Sequence, residues 1–256
     1  MKNMFTALIL GVALALQAFA QTEMKDKMMS VDKVVSPQDA AKTALNVGGQ
    51  IPEFTLSDAT GKLVSSNDLL KQGNLVVVFY RGAWCPYCNK YLHKLQENLS
   101  EIKANGGNLV AISVENPDTS MAVSKKNDVA FTVLSDPKLE TARKFGIVYE
   151  LSKETNEKYK GYGIDLMKNN GTEKPELPLS ATYVVDSKGK IVYAWLEPDY
   201  SKRAEPADIL KVLSDQKAMM KPAMKEEMTK PMTKAEKKKA EKMKKAEMKK
   251  AATKNN

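Results

Sequence analysis

The chain has 256 residues, 43% of them hydrophobic and 28% charged, and a net charge of +9 at pH 7. That length suffices for one sizeable core with extensions at either end. The charge does not point to nucleic acid, because from Lys217 to Asn256 fourteen lysines stand against five glutamates; the surplus sits in that tail, the rest is neutral, and no nucleic-acid partner is expected.

Met1 to Ala20 reads as a secretory signal. Lys2 gives the positive start, Phe5 to Leu16 the apolar stretch, and Ala18-Phe19-Ala20 the small-residue cleavage pattern. The apolar stretch is short for a bilayer span, so cleavage before Gln21 and a secreted or periplasmic mature protein are expected. Residues 21–46 are polar and read as a linker holding at most a short helix. Folded structure is expected over 47–215, beginning with a hairpin from Ile51-Pro-Glu-Phe-Thr-Leu56 and the turn at Asp58-Ala-Thr-Gly61. The β-branched and aromatic run Leu75–Tyr80 predicts a strand buried on both faces. A helix comes next, its apolar stripe formed by Leu92, Leu95, Leu99 and Ile102 and its end marked by Gly106-Gly107. Beyond it come a strand at Leu109–Val114, a helix near Thr119–Lys126, a short strand around Phe131–Leu134 and a helix from Asp136-Pro137 to Phe145. Residues 151–179, rich in Gly, Asn and Pro, interrupt the rhythm as an insertion packed beside the site. A hairpin then joins Ala181–Val185 to Lys190–Trp195, and Glu205–Leu213 forms a closing helix. Strands alternating with helices predict an α/β fold with a central mixed, mostly parallel sheet flanked by helices.

The tail, 216–256, is a low-complexity mixture of Lys, Met, Ala and Glu that cannot build a core. From Met232 onward it favours helix, and its charge suits an anionic envelope surface such as lipid headgroups. Met224, Met228 and Met232 recur every four residues, a spacing that invites copper. Pro222 and Pro231 are expected to break the helix that would align them.

The chemistry lies in Arg81-Gly-Ala-Trp-Cys-Pro-Tyr-Cys-Asn89. A bridge between Cys85 and Cys88 closes a loop too small to restrict the unfolded chain much, so the pair is a poor staple and a good switch. One Cys-x-x-Cys with a single histidine, His93, leaves a zinc site incomplete; no metal and no cofactor are expected. Placed at a helix start, a thiolate gains from unpaired N–H groups and the positive end of the helix dipole. Arg81 adds a cation, Pro86 occupies the first turn without an N–H, and Trp84 covers one side of the thiol as packing or as a docking surface.

These residues resemble the redoxin (AhpC/TSA-type) branch of the peroxiredoxin superfamily, in its peroxiredoxin-like members that carry Cys-x-x-Cys. The resemblance runs from about Val47 to Leu213 and includes Val133-Leu-Ser-Asp-Pro137, Gly163-Ile-Asp-Leu166, Glu176-Leu-Pro178 and Glu197-Pro-Asp-Tyr200. It implies a thioredoxin-like fold and a thiol-dependent peroxidase. The family's Pro-x-x-x-Thr-x-x-Cys pattern lays its peroxidatic cysteine on Cys88, with Arg81 at the proline place and Cys85 at the threonine place. Ser180 stands where the family has an arginine and thioredoxins a cis-proline, leaving Arg81 or Arg143 as the cation. Two mechanisms stay open. In one, Cys88 attacks a hydroperoxide, Cys85 condenses with the sulfenic acid, and an external dithiol such as a thioredoxin-like protein reduces the disulfide. In the other, Cys85, as the more exposed thiol, attacks a protein disulfide and Cys88 resolves it. A third reading makes the protein an envelope-binding module that acts through its tail.

Overall fold

The computed structural model describes residues 35–229. The segment expected to be a signal, most of the expected linker and the helix expected from Met232 lie outside the described residues. Those up to Leu213 form one compact unit, and those from Ser214 a second.

In chain order the elements are α1 (Pro37–Thr43), the hairpin β1 (Thr55–Asp58) and β2 (Leu63–Ser65), α2 (Ser66–Leu70), β3 (Asn74–Tyr80), α3 (Pro86–Glu97), α4 (Leu99–Ala104), β4 (Gly107–Ser113), α5 (Pro117–Lys126) and β5 (Thr132–Ser135). A 3-10 turn at Pro137–Leu139 then leads into α6 (Glu140–Lys144), β6 (Val148–Glu150), α7 (Lys153–Gly161), α8 (Leu166–Asn170), β7 (Glu176–Pro178), β8 (Thr182–Val185), β9 (Ile191–Trp195) and α9 (Pro206–Thr229). Seven strands form one sheet in the order β2-β1-β5-β4-β3-β8-β9, while β6 and β7 pair separately.

The sheet is mixed, but the expectation that it is mostly parallel needs correction. Only β3–β4 and β4–β5 run parallel; the outer pairings are antiparallel. Crossover helices join just the three central strands, whereas the outer ones belong to or dock as hairpin strands, which pair antiparallel.

Strand β3 lies between β4 and β8, and all seven of its residues are buried. Its side chains alternate between two cores, as the strand period requires. Leu75, Val77 and Phe79 point into one with Phe145 and Tyr183; the Phe79 and Phe145 rings meet edge to face at 5.0 Å. Val76, Val78 and Tyr80 point into the other, which holds Leu92, Leu95, Ile102, Ile209 and Leu213 together with Cys85 and Cys88. The single helix expected after the cysteines breaks at Asn98, whose amide donates to the Lys94 carbonyl at 2.8 Å, yet Leu92, Leu95, Leu99 and Ile102 are all buried. Each such side chain contributes roughly 1.5–3 kcal/mol of burial.

Two further departures concern the ends. Residues assigned to the linker contribute to the core: Ala40 on α1 has no exposed surface, and the Leu45 N–H donates to Phe145 O at 2.9 Å. The helix α9 does not stop near Leu213 or break at Pro222; its backbone stays helical to Thr229. A mid-helix proline removes one hydrogen bond, and the Ala, Lys, Met and Glu around it are strong helix formers that sustain the rest.

Gly146 joins α6 to β6 at a φ of +72°, and a Cβ there would stand 2.9 Å from Thr43 O and 3.2 Å from Ala44 Cα, both at the end of α1. Gly146→Ala is expected to lower the unfolding free energy by about 1–3 kcal/mol through backbone strain and loss of α1 docking, measured as a reduced urea midpoint.

Candidate active site

Because β3 is buried to its last residue, the chain leaves it at Arg81 still inside the protein and must turn at once into α3. Gly82 makes the turn at a φ of +144°, where a Cβ would stand 2.5 Å from Trp84 Nε1 and 3.0 Å from Glu115 Oε1. The turn is clamped from both sides. The Ala83 N–H donates to both carboxylate oxygens of Glu115, at 3.0 and 2.9 Å, and the Ala83 carbonyl accepts from Asn89 Nδ2 at 2.8 Å. So held, the chain delivers Cys85 to the N-cap of α3, with Pro86 in the first turn. The cap contact is made by sulfur: the Cys88 N–H donates to Cys85 Sγ at 3.4 Å.

Both cysteines are free, and both are enclosed, Cys85 at 1% exposure and Cys88 at 0%. Cys85 is the more exposed of the two, as expected, but only marginally, since the cap position faces inward onto the core beneath α3. What separates the two sulfurs is electrostatics. A hydrogen bond from the Cys88 thiol is the largest influence on Cys85; with the Arg81 charge, the Cys88 N–H and the Arg203 charge it outweighs burial and pulls the Cys85 pKa down to about 6. Burial, together with the hydrogen bond given to Cys85, pushes the Cys88 thiol well up. Cys85 is thus the thiolate near neutrality and Cys88 the protonated donor.

Arg81 is 2% exposed. One guanidinium nitrogen donates to the Tyr159 hydroxyl, and three rings surround the cation, with centroids 3.9 Å (Tyr200), 4.9 Å (Trp84) and 5.7 Å (Tyr159) away. Tyr159 comes from α7, so the 151–179 segment does supply a wall of the site. Trp84 is half-buried against Tyr159 and does not form an outer docking surface. The exposed aromatics here are Tyr87 and Tyr200, at 48% and 43%.

Ser180 lies in the link between β7 and β8, 3% exposed, and its hydroxyl has no partner among the described residues; no contact brings it to the sulfurs. Arg143 binds Glu176 at 2.5 and 3.1 Å, away from the pair. His93 is a surface residue 3.6 Å from Glu97. Two residues of the site do not stand out in the sequence. Arg203, before α9, places Nη2 3.4 Å from Cys88 Sγ. Glu115, just past β4, is 5% exposed, and burial, resisted by the Ala83 N–H, pushes its pKa up to about 7. The one signal for Glu115 is an acidic residue directly after an apolar strand; nothing local marks Arg203, which reaches the site through folding alone.

A two-cysteine helix cap at the end of a buried central strand, with one sulfur activated and the other holding its proton, defines a thiol-based oxidoreductase. The AhpC/TSA family profile matches residues 47–194, and the chain belongs to that family, which makes it an oxidoreductase of the thiol peroxidase kind. It is 31% identical over 152 residues to a putative peroxiredoxin of Mycobacterium tuberculosis strain H37Rv, spanning 59% of this chain and 85% of that one. It is also 32% identical over 108 residues to peroxiredoxin Bcp of Escherichia coli strain K12, spanning 42% of this chain and 69% of that one. Among solved structures, the fold matches peroxidoxin BcpB from Mycobacterium tuberculosis with a TM-score of 0.55 at 21% identity, over 67% of this chain and 97% of that one. A peroxiredoxin-like protein from Aquifex aeolicus matches with a TM-score of 0.54 at 17% identity, over 72% and 91%.

Alkylation by iodoacetamide is expected to fall on Cys85 first and to accelerate as pH rises through about 6, since the thiolate forms above the depressed pKa; a free thiol would show the same rise near ~8.5. Arg81→Gln is expected to move the midpoint upward, by withdrawing a cation that favours the anion. A pH-rate profile with mass-spectrometric assignment of the modified cysteine checks both.

Proposed function

We propose that the protein is an exported thiol peroxidase that reduces hydroperoxides through a Cys85/Cys88 dithiol–disulfide cycle. The observation that carries this reading is the enclosure of an activated pair. With Cys85 at 1% and Cys88 at 0% exposure, a small hydroperoxide has far easier entry than a folded protein disulfide, and the family membership agrees. In this cycle Cys85 thiolate attacks the terminal peroxide oxygen and the O–O bond breaks. The alkoxide leaves as alcohol on taking up a proton, and Cys85 becomes a sulfenic acid. Arg81 and Arg203 bring positive charge to the site where negative charge moves from sulfur to oxygen. Cys88 then displaces the sulfenic oxygen as water and closes the disulfide.

This exchanges the roles that the family pattern alone implies, in which Cys88 is peroxidatic; the cap geometry and the asymmetry of the two thiols support Cys85 as the attacker. Completion of the cycle needs an external dithiol, for which a thioredoxin-like protein is the natural class. The ridge formed by exposed Pro86, Tyr87 and Tyr200 flanks the pair and offers such a partner its first contact. Export through the signal at Met1–Ala20 and association of the lysine-rich tail with an anionic surface belong to the same proposal.

Mixing the reduced protein with one equivalent of hydrogen peroxide tests it. The expected result is oxidation at least about a hundredfold faster than that of a free cysteine, a mass loss of two hydrogens, and a trapped sulfenic acid at Cys85 in Cys88→Ser. A sulfenic acid at Cys88 in Cys85→Ser, formed at the full rate, would return the attacking role to Cys88. Oxidation no faster than free cysteine, with rapid exchange against a protein disulfide, would leave a disulfide oxidoreductase instead.

A further inference from the structure

A buried guanidinium normally has a carboxylate beside it, because an uncompensated charge out of water is costly. Arg81 has none: no acidic oxygen lies within ion-pair distance of it among the described residues. Its hydrogen-bonded partner, the Tyr159 hydroxyl, is neutral, and its Nε is buried without a partner. The three surrounding rings offset part of the cost but carry no charge.

A cavity of about 310 Å³ opens on this cation, within the size range of small-molecule sites. Pro37 of α1, Tyr149, Leu151, Tyr159, Pro198 and Tyr200 form its apolar walls. Its one acidic lining residue, Glu150, is paired with Lys174 at 3.4 Å, so Arg81 supplies the unbalanced charge. We propose that this cavity is a redox-linked binding site for an organic monocarboxylate, whose carboxylate pairs with Arg81 and whose apolar body lies among Tyr149, Tyr159 and Pro198. A single cation suits a single negative charge, and the ring-lined walls suit a hydrocarbon body better than an inorganic anion.

The redox link arises from the neighbour that Arg81 does have. In the reduced protein the Cys85 thiolate interacts with the Arg81 charge. When the hydroperoxide takes two electrons from the pair, becoming alcohol and water, the product is a neutral disulfide and that anion is gone. A carboxylate in the cavity then compensates a charge the protein no longer balances, so it binds the disulfide form more tightly. By reciprocity, the bound carboxylate favours the disulfide.

Calorimetric titration of the full chain with benzoate and 4-phenylbutyrate at pH 8 tests this, comparing protein oxidised by diamide with protein held reduced by dithiothreitol. Diamide forms the disulfide whether or not the peroxidase reading holds, so the two fail separately. Binding at least about tenfold tighter to the oxidised form is expected, with benzamide failing to bind. A tenfold preference corresponds to a reduction potential about 30 mV lower in saturating benzoate, which a glutathione redox titration reads. Thr155→Trp, which fills the cavity from α7 without touching Arg81, is expected to abolish binding. Equal affinity for the two redox forms, benzamide binding as well as benzoate, displacement by equimolar sulfate, or undiminished binding in Thr155→Trp would each overturn the proposal.

Discussion

The seven residues of β3 leave no side chain in water, and the chain that leaves its end carries an arginine and, four residues later, a thiol. A strand paired on both edges and packed on both faces has no freedom to shift, so the residues just past its end are fixed to within the tolerance of a core. The turn into α3 inherits that rigidity, and Glu115 and Asn89 extend it by holding the Ala83 peptide from either side. The position of Cys85 at the helix cap is therefore a property of the whole sheet. The sulfur performs the work that serine or aspartate does at most N-caps, and the same N–H group that stabilises the helix stabilises the thiolate.

The two sulfurs begin chemically alike and are made different by three residues of separation. Cys85 collects a thiol donor, an N–H donor and the fields of two arginines; Cys88 lies deeper and gives its proton to its neighbour. Neither difference depends on a metal ligand or a histidine. Enclosure completes the arrangement. A buried thiolate is reactive toward what can reach it, and the aromatic surround of Arg81 narrows the approach on that side.

Much of this is legible in the sequence, and the reasons are local. Leu75–Tyr80 is a strand by composition, Leu92 to Ile102 a helix face by period, and Cys85–Cys88 a redox pair by spacing. The departures arise where local signals compete with partners distant in sequence. The short α1 reads as linker because its seven residues hold only one buried side chain, Ala40, and it packs on β6 and against Gly146, about a hundred positions away. The sheet reads as more parallel than it is because alternation of element types does not say which connections cross over. Arg81 is visible as a cation but its aromatic surround is not, since Trp84, Tyr159 and Tyr200 meet only in the folded chain. Arg203 and Glu115 escape for the same reason, and the near-complete enclosure of both sulfurs is a property of tertiary packing that a motif does not encode.

The chain has one histidine, and it stands on the outer face of α3 beside Glu97, with 63% of its side chain in solvent. The usual broker of protons near neutrality is therefore missing from the neighbourhood of the sulfurs. In its place stand a carboxylic acid held near 7 by burial and a thiol held near 6 by its neighbours. The proton inventory of the site is thus written in oxygen and sulfur alone, and modification of the exposed His93 imidazole leaves it untouched.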